Sequence, residues 1–152
     1  MNGEPPTPAQ LAAITDPFVR NLAALGRVRT YPKNTVFITE GDSSDSVFVI
    51  LSGKVKAFVS DSEGHELILN NQVPGDYVGE MALDGKPRSA SVVTLEPTTF
   101  SVVQREPLLE AIRHNPDFAL EMIGKVIERA REATDNVKNL ALLDVYGRVA
   151  RL

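Results

Sequence analysis

Between Gly75 and Ser91 the chain reads GDYVGEMALDGKPRSAS, a stretch that gathers the residue types needed to hold a charged, hydroxylated ligand. A buried phosphate calls for a bidentate guanidinium with hydroxyl and backbone N–H donors beside it, and a sugar hydroxyl calls for a fixed carboxylate acceptor. Arg88, Ser89 and the backbone at Ala90 supply the first set, and Glu80, preceded by Gly79, supplies the second. The competing reading is a surface salt bridge between Glu80 and Arg88, the ordinary fate of an arbitrary acid and arginine. The glycines around the pair and the Ser-Ala after the arginine favour the ligand reading. A Walker-type phosphate loop is a poor competitor, because GxxxxGK[ST] is absent.

The remaining inventory narrows the chemistry further. There are no cysteines, which removes disulfides, thiolate metal sites, thiol nucleophiles and iron–sulfur clusters. Only His65 and His114 carry imidazoles, and both read as exposed, in a turn and at a helix end, so a haem centre or a cupin-like metal oxygenase lacks its ligand cluster. No catalytic residue, metal or cofactor is expected, and the chain does not read as an enzyme. The apolar share of 43% and charged share of 24% are those of a soluble globular protein. No stretch approaches the roughly 18 apolar residues of a membrane span, and the N-terminus lacks a signal pattern, so no membrane partner and a cytoplasmic address are expected. A net charge of −4 means that the segment would not attract DNA by its average field.

These residues must be positioned by strands. From Tyr31 to Gln104, short runs rich in Val, Ile, Phe and Thr alternate with glycine-bearing turns. Strands are expected at 35–38, 46–51, 54–60, 66–69, 91–95 and 98–103. The fold class is therefore mainly β with flanking helices (α+β): a β-roll, or double-stranded jelly-roll barrel, followed by a long helix. Met1–Pro8 reads as a frayed tail and residues 1–10 as flexible; two short helices follow, split at Thr15-Asp16-Pro17. Leu108, Leu109 and Ile112 mark another short helix, closed by Asn115-Pro116. From Pro116 a longer helix carries Phe118, Met122, Val126, Ala130, Val137 and Ala141 on one stripe, widened by Ile123 and Ile127. That stripe outruns what one small barrel can cover, which favours dimerisation over a core helix without a partner.

Once glycine, acid, arginine, serine and alanine are set in this order, the segment resembles the phosphate-binding cassette of cyclic-nucleotide-binding domains, a G-E, a loop, then R-S/T-A. Seven residues separate Glu80 from Arg88. The text EATDNVKNLALLDVYGRVARL from Glu132 is in turn similar to the dimerisation helix and hinge of the cyclic-AMP receptor protein branch of the CRP/FNR superfamily. The resemblance implies that Glu80 accepts the ribose 2′-hydroxyl, that Arg88 neutralises the cyclic phosphate, that Ser89 donates to it, and that Gly79 and Ala90 add backbone contacts. It also implies that Thr134 and Asp135, in place of a Thr-Ser pair, read the base; a hydroxyl and a carboxylate there can both accept from the exocyclic amine of adenine, where guanine offers a carbonyl, so adenine (cyclic AMP) is expected to be preferred over guanine.

Val55, Ala57 and Leu69 would face base and sugar, or else form plain barrel core; both readings stand at this point. The domain expectation is a nucleotide-binding roll over 11–115, a dimerisation helix over 116–142, and over 143–152 a hinge with the start of a truncated winged helix-turn-helix. The partners implied are a second copy of the chain and a cyclic nucleotide, with DNA reached only through an absent C-terminal domain. The rival is a ligand-independent protein interaction module on the same fold.

Overall fold

The computed structural model describes residues 3–150, with side chains through residue 147. Its strands are β1 (Arg27–Tyr31), β2 (Val36–Ile38), β3 (Val47–Ser52), β4 (Val55–Ser60), β5 (Glu66–Gln72), β6 (Tyr77–Val78), β7 (Ser91–Thr94) and β8 (Thr98–Val103). They form two four-stranded sheets, ordered β1-β8-β3-β6 and β2-β7-β4-β5, with every pairing antiparallel. The core lies where the two inner faces meet. Phe48, Ile50, Val78, Phe100 and Val102 come from the first sheet, and Ile38, Val55, Ala57 and Val92 from the second. The mainly-β roll expected from the turns and β-branched runs is the observed fold.

Each sheet is held by the period-two alternation of its strands and by what covers its outer face. β3 is an exception that explains itself: Val47, Phe48, Val49 and Ile50 are all buried. Phe48 and Ile50 enter the inter-sheet core, while the opposite face lies under α2 (Pro17–Ala24), whose Phe18, Val19, Leu22 and Ala23 are buried. The Ser101 hydroxyl on β8 donates to the Ala23 carbonyl at 2.6 Å, satisfying a fully buried polar group at that seam. Aromatic rings close the centre, with Phe37 and Phe100 at a centroid separation of 4.5 Å and Phe48 edge-on to Phe100 at 5.6 Å.

The N-terminal helices follow their caps. Thr7 and Gln10 form a reciprocal capping box at α1 (Pro8–Ala12), and the Asp16 carboxylate caps α2 with Pro17 in its first turn. The segment before α1 is more ordered than a frayed tail: the Glu4 carbonyl accepts from the Val28 N–H at 2.8 Å, which adds chain alongside β1. β1 and β6 were not anticipated. The Arg-Val-Arg-Thr-Tyr of β1 is too polar to signal a strand, and β6 is a two-residue edge inside what reads as a loop.

Two helices complete the chain, α3 (Arg105–His114) and α4 (Pro116–Ala150). α4 runs uninterrupted through 35 residues, so the expected hinge at 143 coincides with continuous helix. Nothing between Leu140 and Tyr146 breaks it, since no proline occurs there and Leu and Ala are strong helix formers. By internal contacts the chain divides into two compact units, Met1–Ala111 and Ile112–Leu152.

Candidate functional site

The cassette begins where β6 ends. Gly79 follows Val78 with φ 94° and ψ 0°, and a short 3-10 helix, Glu80–Asp84, starts immediately after it. The glycine is required twice over. Its φ lies in the left-handed region, and a Cβ there would stand 2.7 Å from Arg88 Nη1 and 2.7 Å from the Ser46 carbonyl oxygen. Gly85, at φ 83°, closes the turn, and Asp84 accepts from the Lys86 N–H at 2.9 Å. Glu80 is thereby fixed, half-buried, at the first position of the turn.

Arg88 is buried, at 5% exposure, which removes the surface salt bridge as its explanation. Its guanidinium makes three hydrogen bonds: Nη1 donates to the Gly79 carbonyl at 2.7 Å, Nη2 to the Ser46 carbonyl at 2.7 Å, and Nε to the Ser44 hydroxyl at 3.0 Å. These leave one N–H on each terminal nitrogen outside the three bonds. Burial pushes the Arg88 pKa down from its ordinary value, while Asp45, Glu80 and Asp42 oppose that shift through their charges. An arginine remains charged under this perturbation, so a full positive charge is held in a desolvated position. The backbone is pinned as firmly: the Arg88 N–H donates to the Asp42 carbonyl at 2.7 Å and the Gly41 N–H to the Arg88 carbonyl at 2.8 Å.

The structure brings Gly79, Glu80 and Arg88 together. Ser89 is exposed, its hydroxyl donating to the Met81 sulfur at 3.8 Å, and Ala90 is half-buried just before β7. Val55 and Ala57 are buried on the inner face of the second sheet, at 0% and 9% exposure. Leu69 is set apart from them: Ala57 pairs with Asn70 and Phe58 with Ile68, so Leu69 is the extra residue of a β-bulge and is 53% exposed. Thr134 and Asp135 are exposed on α4, where the Thr134 hydroxyl donates to the Ala130 carbonyl at 3.0 Å.

Sequence reasoning missed the residues that hold the arginine. Ser44 and Ser46 sit in the β2–β3 connection, and the run Ser43-Ser44-Asp45-Ser46 was a signal of sorts, more polar than a turn requires. It also missed Arg105, whose Nη1 donates to the Leu83 carbonyl at 2.8 Å and ties the start of α3 to the cassette turn. Among the described residues no cluster of three or more metal-ligating side chains occurs, and no helix is long and apolar enough to cross a membrane.

Known proteins similar to this chain point to a family. The family described as the cyclic nucleotide-binding domain matches residues 28–115. The chain is 30% identical over 139 residues to the cAMP-activated global transcriptional regulator CRP of Salmonella typhimurium, an alignment covering 90% of this chain and 66% of that protein. It is also 30% identical, over 122 residues, to the CRP-like cAMP-activated global transcriptional regulator of Mycobacterium tuberculosis, covering 80% of this chain and 54% of the relative. Among solved structures it is similar to the Thermus thermophilus catabolite activator protein, with a TM-score of 0.71 and 32% identity, covering 87% of this chain and 63% of that one. The chain thus spans a little under two thirds of the length of the first of these relatives.

Proposed function

The chain belongs to the cyclic nucleotide-binding domain family, and on that premise we propose that it is the sensor segment of a homodimeric, DNA-binding transcriptional regulator, with cyclic AMP as its favoured ligand. The observation that carries the reading is the buried Arg88, its fork fixed on the Gly79 and Ser46 carbonyls beside Glu80. A charge kept in a desolvated place by neutral acceptors is prearranged for an anion, whose approach costs little reorganisation. In this reading Arg88 meets the cyclic phosphate, Ser89 adds its hydroxyl, the backbones of Gly79 and Ala90 add contacts, and Glu80 takes the ribose 2′-hydroxyl.

Dimerisation is supported by α4. Ile127, Ala130, Thr134, Val137 and Ala141 follow the alternating three- and four-residue spacing of a helix-pairing seam. Ile127 and Val137 are 48% and 66% exposed in the single chain. Thr134 falls on that seam and Asp135 next to it, which supports their assignment to base reading near a subunit boundary. The names of the relatives support a regulatory output, and DNA contact is proposed for the whole protein rather than for this segment.

Calorimetric titration with cyclic AMP, cyclic GMP and linear AMP tests the reading. Saturable binding of a cyclic nucleotide and much weaker binding of AMP are expected. Absence of binding by both cyclic nucleotides to folded protein would leave the interaction-module alternative in its place.

A further inference from the structure

We infer that Gln72 is a further ligand-contacting residue, its buried side-chain carbonyl accepting a hydrogen bond from an N–H donor of the bound nucleotide. The inference rests on the cyclic-nucleotide reading above. Gln72 closes β5 and pairs across the ladder with Val55. Directly paired residues project from the same face of a sheet, so the Gln72 side chain shares the inner face with Val55. Its Nε2 donates to the Tyr77 carbonyl at 3.4 Å. A carbonyl only accepts, so this contact fixes which end of the amide is the NH2 and turns Oε1 the other way. That oxygen is buried and accepts no hydrogen bond.

A buried acceptor without a donor is uncommon in folded proteins, because the hydration it lost is not replaced. Its location gives the reason for its retention. Tyr77 lies two residues before Gly79, so the Gln72 amide lies beside the entry to the cassette. A cyclic phosphate is an acceptor and has nothing to give this oxygen. The ribose 2′-hydroxyl has a single proton, which goes to Glu80 in the reading above, so the donor that remains is the exocyclic amine of adenine, which carries two. That amine would restore the missing hydrogen bond on binding, so Gln72 would discriminate among ligands by the donor they present.

The test is Gln72→Leu in the full chain, measured by calorimetry and urea unfolding. Leucine fills a similar volume without the stranded carbonyl, so the unfolding midpoint should stay level or rise while cyclic AMP affinity falls about tenfold. The same comparison with the cyclic nucleotides of purine riboside, lacking the 6-amine, and of 2′-deoxyadenosine identifies the donor. The penalty of the substitution should vanish for the first and persist for the second. Undiminished cyclic AMP affinity, or an equal loss for all three ligands with a lowered midpoint, overturns the inference by assigning Gln72 to solvent or to packing. If the unsubstituted chain binds no cyclic nucleotide, the proposed function falls and this inference with it, an outcome read before any variant is made.

Discussion

Replacing Arg88 by alanine should damage two properties at once. In the unliganded chain the guanidinium supplies donors to the Gly79 and Ser46 carbonyls and to the Ser44 hydroxyl. The serine hydroxyl can rotate toward another partner, so the two carbonyls set the scale. Acceptors left buried without a donor cost about 1–3 kcal/mol each, and relief of the desolvated charge offsets part of that, so a loss of about 2–4 kcal/mol in stability is expected. Ligand binding should suffer separately, by about 2–5 kcal/mol, because the phosphate would be desolvated without its charge partner. Urea unfolding reads the first quantity, and calorimetry on protein verified as folded by circular dichroism reads the second. Arg88→Lys is the informative companion. It keeps the charge and forfeits the planar fork, so it should recover part of the affinity and less of the stability. An Arg88→Ala protein with an unchanged unfolding midpoint and unchanged affinity would refute the reasoning from burial to anion site.

The other predictions address assembly, base choice and a local titration. Val137→Glu should shift the chain toward monomers in sedimentation, because a carboxylate would enter an apolar seam; an unsubstituted chain that stays monomeric at high concentration counts against α4 as the interface. Thr134→Ala should weaken cyclic AMP by about 1 kcal/mol and narrow its advantage over cyclic GMP in competition binding; equal affinities before and after would mean that α4 does not read the base. Asp61 accepts from the His65 and Glu63 N–H groups, and hydrogen bonds led by the His65 backbone hold its carboxyl below the ordinary carboxylate value. Its contribution to the β4–β5 turn is therefore present above the unfolded pKa and is lost as pH falls through the lower folded one. NMR titration should place its midpoint below that of a model aspartate, and a midpoint at or above it would contradict the turn geometry.

Much of the roll was legible because its signals are local. Glycine-marked turns, β-branched runs and the Asp16-Pro17 start of α2 depend on a few adjacent residues, and the structure keeps all of them. The cassette residues were legible for the same reason, since Gly79, Glu80, Arg88, Ser89 and Ala90 lie within one short stretch whose chemistry reads in order. β1 was not, because its polar residues are recruited by pairing with β8, some seventy positions away. The exposure of Leu69 was not legible either, because it follows from a bulge in the β4–β5 ladder that pairing across strands creates.

What the sequence by itself determined, then, is which groups are present and which of them are neighbours along the chain: a mainly-β roll, a helix with a long apolar stripe, and an acid and an arginine in one glycine-rich loop. The tertiary structure alone decided that Arg88 is buried, that Ser44 and Ser46 brace it, and that Gln72 carries an unpaired carbonyl at the cassette entry. Burial and hydrogen-bond satisfaction arise from contacts between segments far apart in the chain, and a one-dimensional pattern does not record which distant backbone oxygen will stand opposite a given donor.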